Sequence, residues 1–350
     1  MTTRIDMAKV SVSAVDLFCG AGGLAHGLKK AGIGVRAGYD LDESCKHAYE
    51  HNNGGTFFAT DVAKVTSTDL TPHFDGDFSL LAGCAPCQPF SLMNNKRLRP
   101  TDERWPLLGE FARLVNSSLP DFVTMENVPG LESTPVFQSF VEVLKKRQYD
   151  VRHEVFDCSK LGVPQRRQRL VLVASRKGAA QLPSKHIGPA PSVKSAIGGV
   201  NKVDAGVADA KDPLHRSAKL SDTNLKRIKA SKPGSTWRDW PEALRLECHK
   251  KASGASYSES YGRMVWAKPS PTITTKFYNL GSGRFGHPEQ DRAISLREGA
   301  MLQTFPATYQ FFAAESPMPF IEVGRLIGNA VPVALGQAVG EAVLSMAVSA

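Results

Sequence analysis

The sequence predicts an α/β fold with a mostly parallel sheet, joined to a second, smaller, irregular and basic domain. Three observations lead there. Short apolar runs alternate with amphipathic stretches over residues 10–175, which implies strands linked by crossover helices. The texture then changes: 176–290 is rich in Pro, Gly, Ser and Lys and has no long apolar periodicity. The charge changes with it. The chain has 43 Lys and Arg against 34 Asp and Glu, a net +9, yet 176–300 alone holds 22 basic and 11 acidic residues, a net +11. The remainder is near −2. Such a block is either a solvated basic surface or a surface for a polyanion, and composition does not separate the two.

Taken in order, the expected strands are 10–18, 35–40, 56–61, 78–83, 122–126 and 170–174, with helices over 24–31, 107–117 and 136–146. In the last helix Phe137, Phe140, Val141 and Leu144 form one apolar stripe. The basic block shows only short strand-like pieces such as 271–275. Residues 323–347 return to small apolar, helix-like sequence and are expected to dock back on the first domain, making it discontinuous: 1–180 plus 318–350, with 181–317 as the second domain. No uninterrupted apolar run reaches the roughly 20 residues a membrane helix needs. The best stretch, 331–348, is broken by Pro332, Gly336, Gly340 and Glu341. The N-terminus shows no secretory core, and six cysteines in 350 residues make no disulfide framework, so a reducing, cytoplasmic setting is expected.

In parallel sheets ligands bind beyond the carboxyl ends of the strands, and the unusual residues gather there. Gly20, Gly22 and Gly23 follow the first strand and open a helix, allowing a tight turn and close backbone approach. Asp40 closes the next strand about 20 residues on, where an acid can take a ribose diol. Asp61 closes the third; helix capping is the ordinary alternative for both acids. No Lys follows the glycines to grip phosphate, so an adenosine cofactor without a pyrophosphate fits better than a nucleotide triphosphate.

Cys84 and Cys87 leave three chemical readings open: a zinc site lacking its other two ligands, a dithiol pair, or a lone nucleophile at Cys87 with Cys84 a small hydrophobe at the strand end. Inert packing is the fourth. Glu126 ends another strand, and Arg167 and Arg169, two residues apart, project to one side of an extended chain. A nucleophile, an acid and guanidinium donors together suit covalent attack on an electron-poor heterocycle.

The motifs that carry these residues are DLFCGAGGL (16–24), Asp40, TDV (60–62), APCQPFS (85–91), ENVPG (126–130), QRRQRL (165–170), R-x4-LQTFP (297–306) and GNAVPVALG (328–336). In this order they resemble the bacterial-type DNA cytosine-5 methyltransferases over nearly the whole chain. Cys19, Ala21 and Cys84 fill variable positions. The resemblance implies a Rossmann-like S-adenosylmethionine-dependent methyltransferase sheet and a target-recognition domain. It implies S-adenosylmethionine over the glycine loop with Phe18 near the adenine, Asp40 on the ribose and Asp61 on the adenine amino group. Pro86, Leu107, Asn329 and Val331 would complete the pocket, and S-adenosylhomocysteine would leave as product. Cys87 would add to carbon 6 of a flipped cytosine. Glu126 would serve ring nitrogen 3 and Arg169 the carbonyl oxygen, with Arg167 in support. The basic loop 94–104 would close over the base. The implied partners are duplex DNA and a cognate restriction endonuclease acting on the same site; a monomer, no metal and no membrane are expected. The same chemistry on transfer RNA, and a non-catalytic DNA-binding relative, are the alternatives.

Overall fold

The computed structural model describes residues 10–86, 106–186, 188–251, 254 and 259–350. The described residues of 1–157, 168–186 and 331–350 form one compact unit, and those of 158–167 and 187–330 another.

In the first unit β1 (Val12–Leu17), β2 (Gly34–Asp40), β3 (Thr56–Ala59), β4 (Phe78–Gly83) and β5 (Phe122–Asn127) pair in parallel. β6 (Asp150–Asp157) and β7 (Gln168–Ser175) close the sheet antiparallel, in the order β3-β2-β1-β4-β5-β7-β6. Strands β1 and β5 are buried at every residue, as expected where helices cover both faces. The helices are α1 (Gly23–Ala31), α2 (Lys46–Asn53), α3 (Ser67–Leu70), α4 (Pro106–Ser118) and α5 (Pro135–Lys146). Thr134 caps α5 by accepting from the Phe137 N–H, Pro135 starts it, and Phe137, Phe140 and Leu144 bury its stripe. Strand β6 and helix α2 lie outside the sequence expectation. The first is an edge strand with exposed Asp150, Arg152 and His153, the second a polar helix that buries only Ala48, Tyr49 and Asn53.

Helix α11 (Val333–Val348) packs on α1 with backbones nearly touching. A Cβ on Gly27 would lie 2.4 Å from the Val333 carbonyl oxygen, one on Gly336 2.9 Å from the Leu24 carbonyl oxygen, and one on Gly340 2.6 Å from the Ala31 Cβ. The last 29-residue apolar stretch, Phe320–Val348, has a window of mean hydropathy 1.5, of which 61% is buried. It is two helices: Ala330 and Pro332 are extended between α10 (Phe320–Asn329) and α11.

The second unit holds α6 (Val193–Ile197), α7 (Asp222–Ala230), α8 (Glu247–Lys250), α9 (Leu296–Leu302) and α10 (Phe320–Asn329). Among its described residues there is no ladder strand, only isolated bridges. The strand-like 271–275 is not a strand. Ser270 makes a single bridge to Gln165, Pro271 has no N–H to continue it, and the Ile273 N–H goes to the Gln165 side chain. Residues 158–167 and 318–330, expected with the first domain, group with this unit; Gln165 donates to the Leu302 carbonyl and to Gln303 Oε1. Polar pairing does much of the holding here. Arg292 and Glu298, both fully buried, meet bidentately at 2.7 and 2.8 Å. Buried Arg263 donates to the carbonyls of Ile228, Ser231 and His287 and pairs with Asp291.

The seam between α1 and α11 has no room for a methyl, whereas a Cβ on Gly109 of α4 meets nothing within 4 Å among the described residues. Gly27→Ala should therefore lower stability by about 1–3 kcal/mol. Gly109→Ala should raise it by about 0.4–1 kcal/mol. Thermal denaturation of the two variants checks both; an unchanged melting temperature for Gly27→Ala would contradict the tight seam.

Candidate active site

The first unit collects its polar residues at the carboxyl ends of β1, β2, β4 and β5. After β1 the backbone turns left-handed at Phe18 (φ 56°), Gly20 (φ 50°) and Gly22 (φ 82°) before Gly23 opens α1. A left-handed phenylalanine is strained and persists only where neighbours fix it. Here β2 does so: the Cys19 N–H donates to the Tyr39 carbonyl, and the Gly20 N–H to Asp40 Oδ2 at 2.9 Å. Asp40 Oδ1 accepts from the Asp42 N–H, and Asp42, not Asp40, caps the next turn through the Ser44 N–H. Asp61 does act as a cap, accepting from the Ala63 N–H at 3.0 Å. Burial raises the Asp40 carboxyl above its usual range, partly offset by the N–H groups of Asp42 and Gly20.

Beneath the loop lies Asp16, an acid inside a fully buried strand. Among the described residues neither of its carboxyl oxygens has a hydrogen-bond partner. Burial chiefly, and then the charge of Asp40, push it up to about 8; the Ala25 amide pulls the other way without being placed to bond. These orphaned oxygens, and the open space a Cβ on Gly20 would face, fit a ligand that brings polar or cationic groups to the loop. The sequence shows Asp16 as part of its motif without a role, although an acid within an apolar run is the signal for it.

At the ends of β4 and β5, Asn127 donates to the Ala85 carbonyl at 3.0 Å and so pins the backbone next to Pro86. Glu126, only 5% exposed, accepts a hydrogen bond from the Cys84 thiol, Sγ to Oε2 2.8 Å. Cys84 is therefore not merely a small strand-end hydrophobe. Arg169 Nε stands 2.7 Å from Glu126 Oε1, an ion pair at contact distance in which the N–H is not aimed at the oxygen. The Arg167 guanidinium is spent elsewhere: buried in the second unit, it donates to the carbonyls of Ile273 and Ala330. Leu107 is half-buried in the first turn of α4; Asn329 is the exposed last residue of α10 in the second unit; Val331 is buried in the first. Cys87 and the loop 94–104 lie outside the described residues. Among the described residues no three His, Cys, Asp or Glu side chains converge as a metal site.

The folded Asp16 carboxyl keeps its proton to about pH 8, while the unfolded one releases it near 3.8. Between those values the unfolded chain binds fewer protons, so stability present below the lower value is lost as pH rises towards the upper. Asp16→Asn removes this titration, and its melting temperature in the ligand-free protein should fall less across that window than the parent's. Parallel pH profiles would return Asp16 to an ordinary carboxyl.

The comparisons with known proteins agree with one another. The family model of the C-5 cytosine-specific DNA methylases matches residues 12–345. The Type II methylase M.HgiDII of Herpetosiphon aurantiacus is 47% identical over 337 residues, covering 95% of this chain and 94% of that one. The Type II methyltransferase M.Eco47II of Escherichia coli is 32% identical over 357 residues, covering 97% and 81%. Among solved structures, a DNA modification methyltransferase encoded within an E. coli prophage superposes with TM-score 0.74 at 20% identity, covering 96% of this chain and 99% of that one. A Spodoptera frugiperda DNMT2 variant gives 0.66 at 19%, covering 96% and 99%. At those identities the structures speak for the fold, which is that of the Rossmann-like methyltransferases. Matched along nearly its whole length by the family model and by a relative of almost half its residues, the chain belongs to the C-5 cytosine-specific DNA methylases.

Proposed function

We propose that this DNA cytosine-5 methyltransferase acts on a cytosine swung out of duplex DNA, through a covalent bond between Cys87 and carbon 6 of the ring. The observation that carries the reading is the buried Glu126 carboxyl at the end of β5, facing Arg169 in the same unit as the Asp16–Asp40 loop. S-adenosylmethionine, when bound, supplies a methyl group activated by its sulfonium. Phe18 would lie against the adenine, Asp40 would hold the ribose, and Asp61 would accept from the adenine amino group. Gly20, Gly22, Gly23, Pro86, Leu107 and Val331 would shape the rest of the pocket.

The chain's own residues then act on the pyrimidine. The Cys87 thiolate adds to carbon 6 while Glu126 gives a proton to nitrogen 3, and Arg169 holds the carbonyl oxygen. Electron density so gathered at carbon 5 takes the methyl group. Loss of the carbon 5 proton to a base and expulsion of the Cys87 thiolate restore the ring, and Glu126 recovers its proton. A stacked base offers no face for this addition, so the base must leave the helix first, at a cost of a few kcal/mol. Catalysis falls to the first unit and target recognition to the second. The enzyme acts as a monomer in the cytoplasm, alongside a restriction endonuclease of the same target.

Duplex DNA with 5-fluorocytosine at the target tests the covalent step, because fluorine does not leave as the proton does. The parent chain should form a complex that survives denaturing electrophoresis, and Cys87→Ser should form none; trapping by that variant would overturn the role of Cys87. In the second unit Arg166, Lys268 and Arg284 line a cleft of about 450 Å³. Arg284 is taken up by Glu259 at 2.6 and 3.0 Å, whereas Arg166 and Lys268 form no salt bridge among the described residues. If these two meet phosphates, Arg166→Ala and Lys268→Ala should each flatten the salt dependence of DNA binding by about 1 in log–log slope. Sequence preference should stay the same. Unaltered slopes would take the phosphates away from this cleft.

A further inference from the structure

Glu126 is nearly sealed from solvent, and two groups from two neighbouring strands address its two oxygens. From β7, Arg169 faces Oε1 electrostatically at 2.7 Å. From the end of β4, Cys84 donates its S–H to Oε2 at 2.8 Å. Gly83 pairs with Met125 in the parallel register, so the residues that follow each, Cys84 and Glu126, come out side by side where the two strands end. Among the described residues this thiol gives the one aligned hydrogen bond the Glu126 carboxyl accepts.

We propose that Cys84 is a positioning residue for Glu126: its thiol fixes the rotation of the carboxyl group, so that the acid is presented to the pyrimidine in a single orientation. The inference rests on the proposed proton exchange between Glu126 and ring nitrogen 3. The terminal torsion of a glutamate is soft, with no staggered wells to hold it. Proton transfer in the plane of a ring demands that this torsion be set beforehand. An ion pair alone does not set it, because its attraction to Arg169 varies little as the carboxyl turns and weakens once the acid is protonated. A thiol donor has neither failing. It binds a carboxylate oxygen, and it can equally bind the carbonyl oxygen of the protonated acid, so the same contact survives both halves of the cycle. A thiol also adds no charge beside the proposed nucleophile three residues on. No bond is made or broken at Cys84, which stays a hydrogen-bond donor throughout.

Single-turnover methylation of target duplex DNA, with the full-length protein, tests this in Cys84→Ala and Cys84→Ser. Removal of the donor in Cys84→Ala should slow the chemical step about tenfold, the worth of one hydrogen bond to a charged group. KM for S-adenosylmethionine, affinity for DNA and melting temperature should stay at parent values. Cys84→Ser, which keeps a donor on the same carbon, should recover most of the rate. A Cys84→Ala rate within twofold of the parent, or a serine variant as slow as the alanine one, would overturn the proposal and leave Cys84 a packing residue. Glu126→Gln, run beside them, keeps the two claims apart: full activity there would overturn the role of Glu126 and this inference with it, whereas an inactive Glu126→Gln with a fully active Cys84→Ala would overturn this inference alone.

Discussion

Glu126 facing Arg169 is the contact on which the first unit's polar end depends, and it exists because β7 runs the wrong way. In a wholly parallel sheet the residues that begin a strand lie at the far edge from the carboxyl ends. Strand β7 is antiparallel to β5, so its first residues stand beside the last residues of β5, with Leu170 opposite Asn127 and Val171 opposite Glu126. That register delivers the Arg169 guanidinium to a carboxyl that could not otherwise be buried at acceptable cost. The reversed strand is thus the means by which a parallel sheet obtains a cation at its carboxyl edge.

The glycine loop shows the same dependence of one element on its neighbour. Left-handed backbone at Phe18 costs of order 1–3 kcal/mol. It is held by two bonds to β2, one from the Cys19 N–H and one from the Gly20 N–H. Asp40 therefore has a structural task besides any ligand: it fastens the loop. Its charge is felt at Asp16, whose carboxyl stays protonated far above its ordinary range. Asp40 acts on the buried Asp16 carboxyl, so a ligand that brings donors or positive charge to this corner is favoured there.

Much of this was legible in the sequence, for a physical reason. Strands β1, β4, β5 and β7 are covered on both faces, so they read as continuous apolar runs, and the residues ending them stand out as polar interruptions. Strand β6 was not legible because an edge strand with exposed Asp150, Arg152 and His153 has no such run. The Cys84 contact was not legible either, since it depends on the register of β4 against β5 and not on spacing along the chain. Arg167 and Arg169 shared a side on paper. In the structure Arg169 faces Glu126, while Arg167 is consumed by the backbone carbonyls of Ile273 and Ala330.

The basic block misleads in the same way if it is read by composition. Arg263, Arg292 and Arg297 count among its 22 basic residues, yet all three are buried. Arg292 is neutralised by Glu298, Arg297 by Asp212, and Arg263 by Asp291 together with a set of carbonyls. With few long helices and no ladder strands among its described residues, the second unit has little regular backbone pairing to hold it. Arginine, with five donors in a planar fork, satisfies several loop carbonyls at once and substitutes for the missing ladders. Part of the basic content that looks like a nucleic-acid footprint is therefore the scaffold of the loops themselves, while the net excess stands, because Asp212, Asp291 and Glu298 lie in the same block. Among the exposed cations of the second unit, Arg166, which lies just outside that block, and Lys268, within it, stand on one cleft. A lysine or arginine in such a block is informative about binding only once its internal partners have been subtracted.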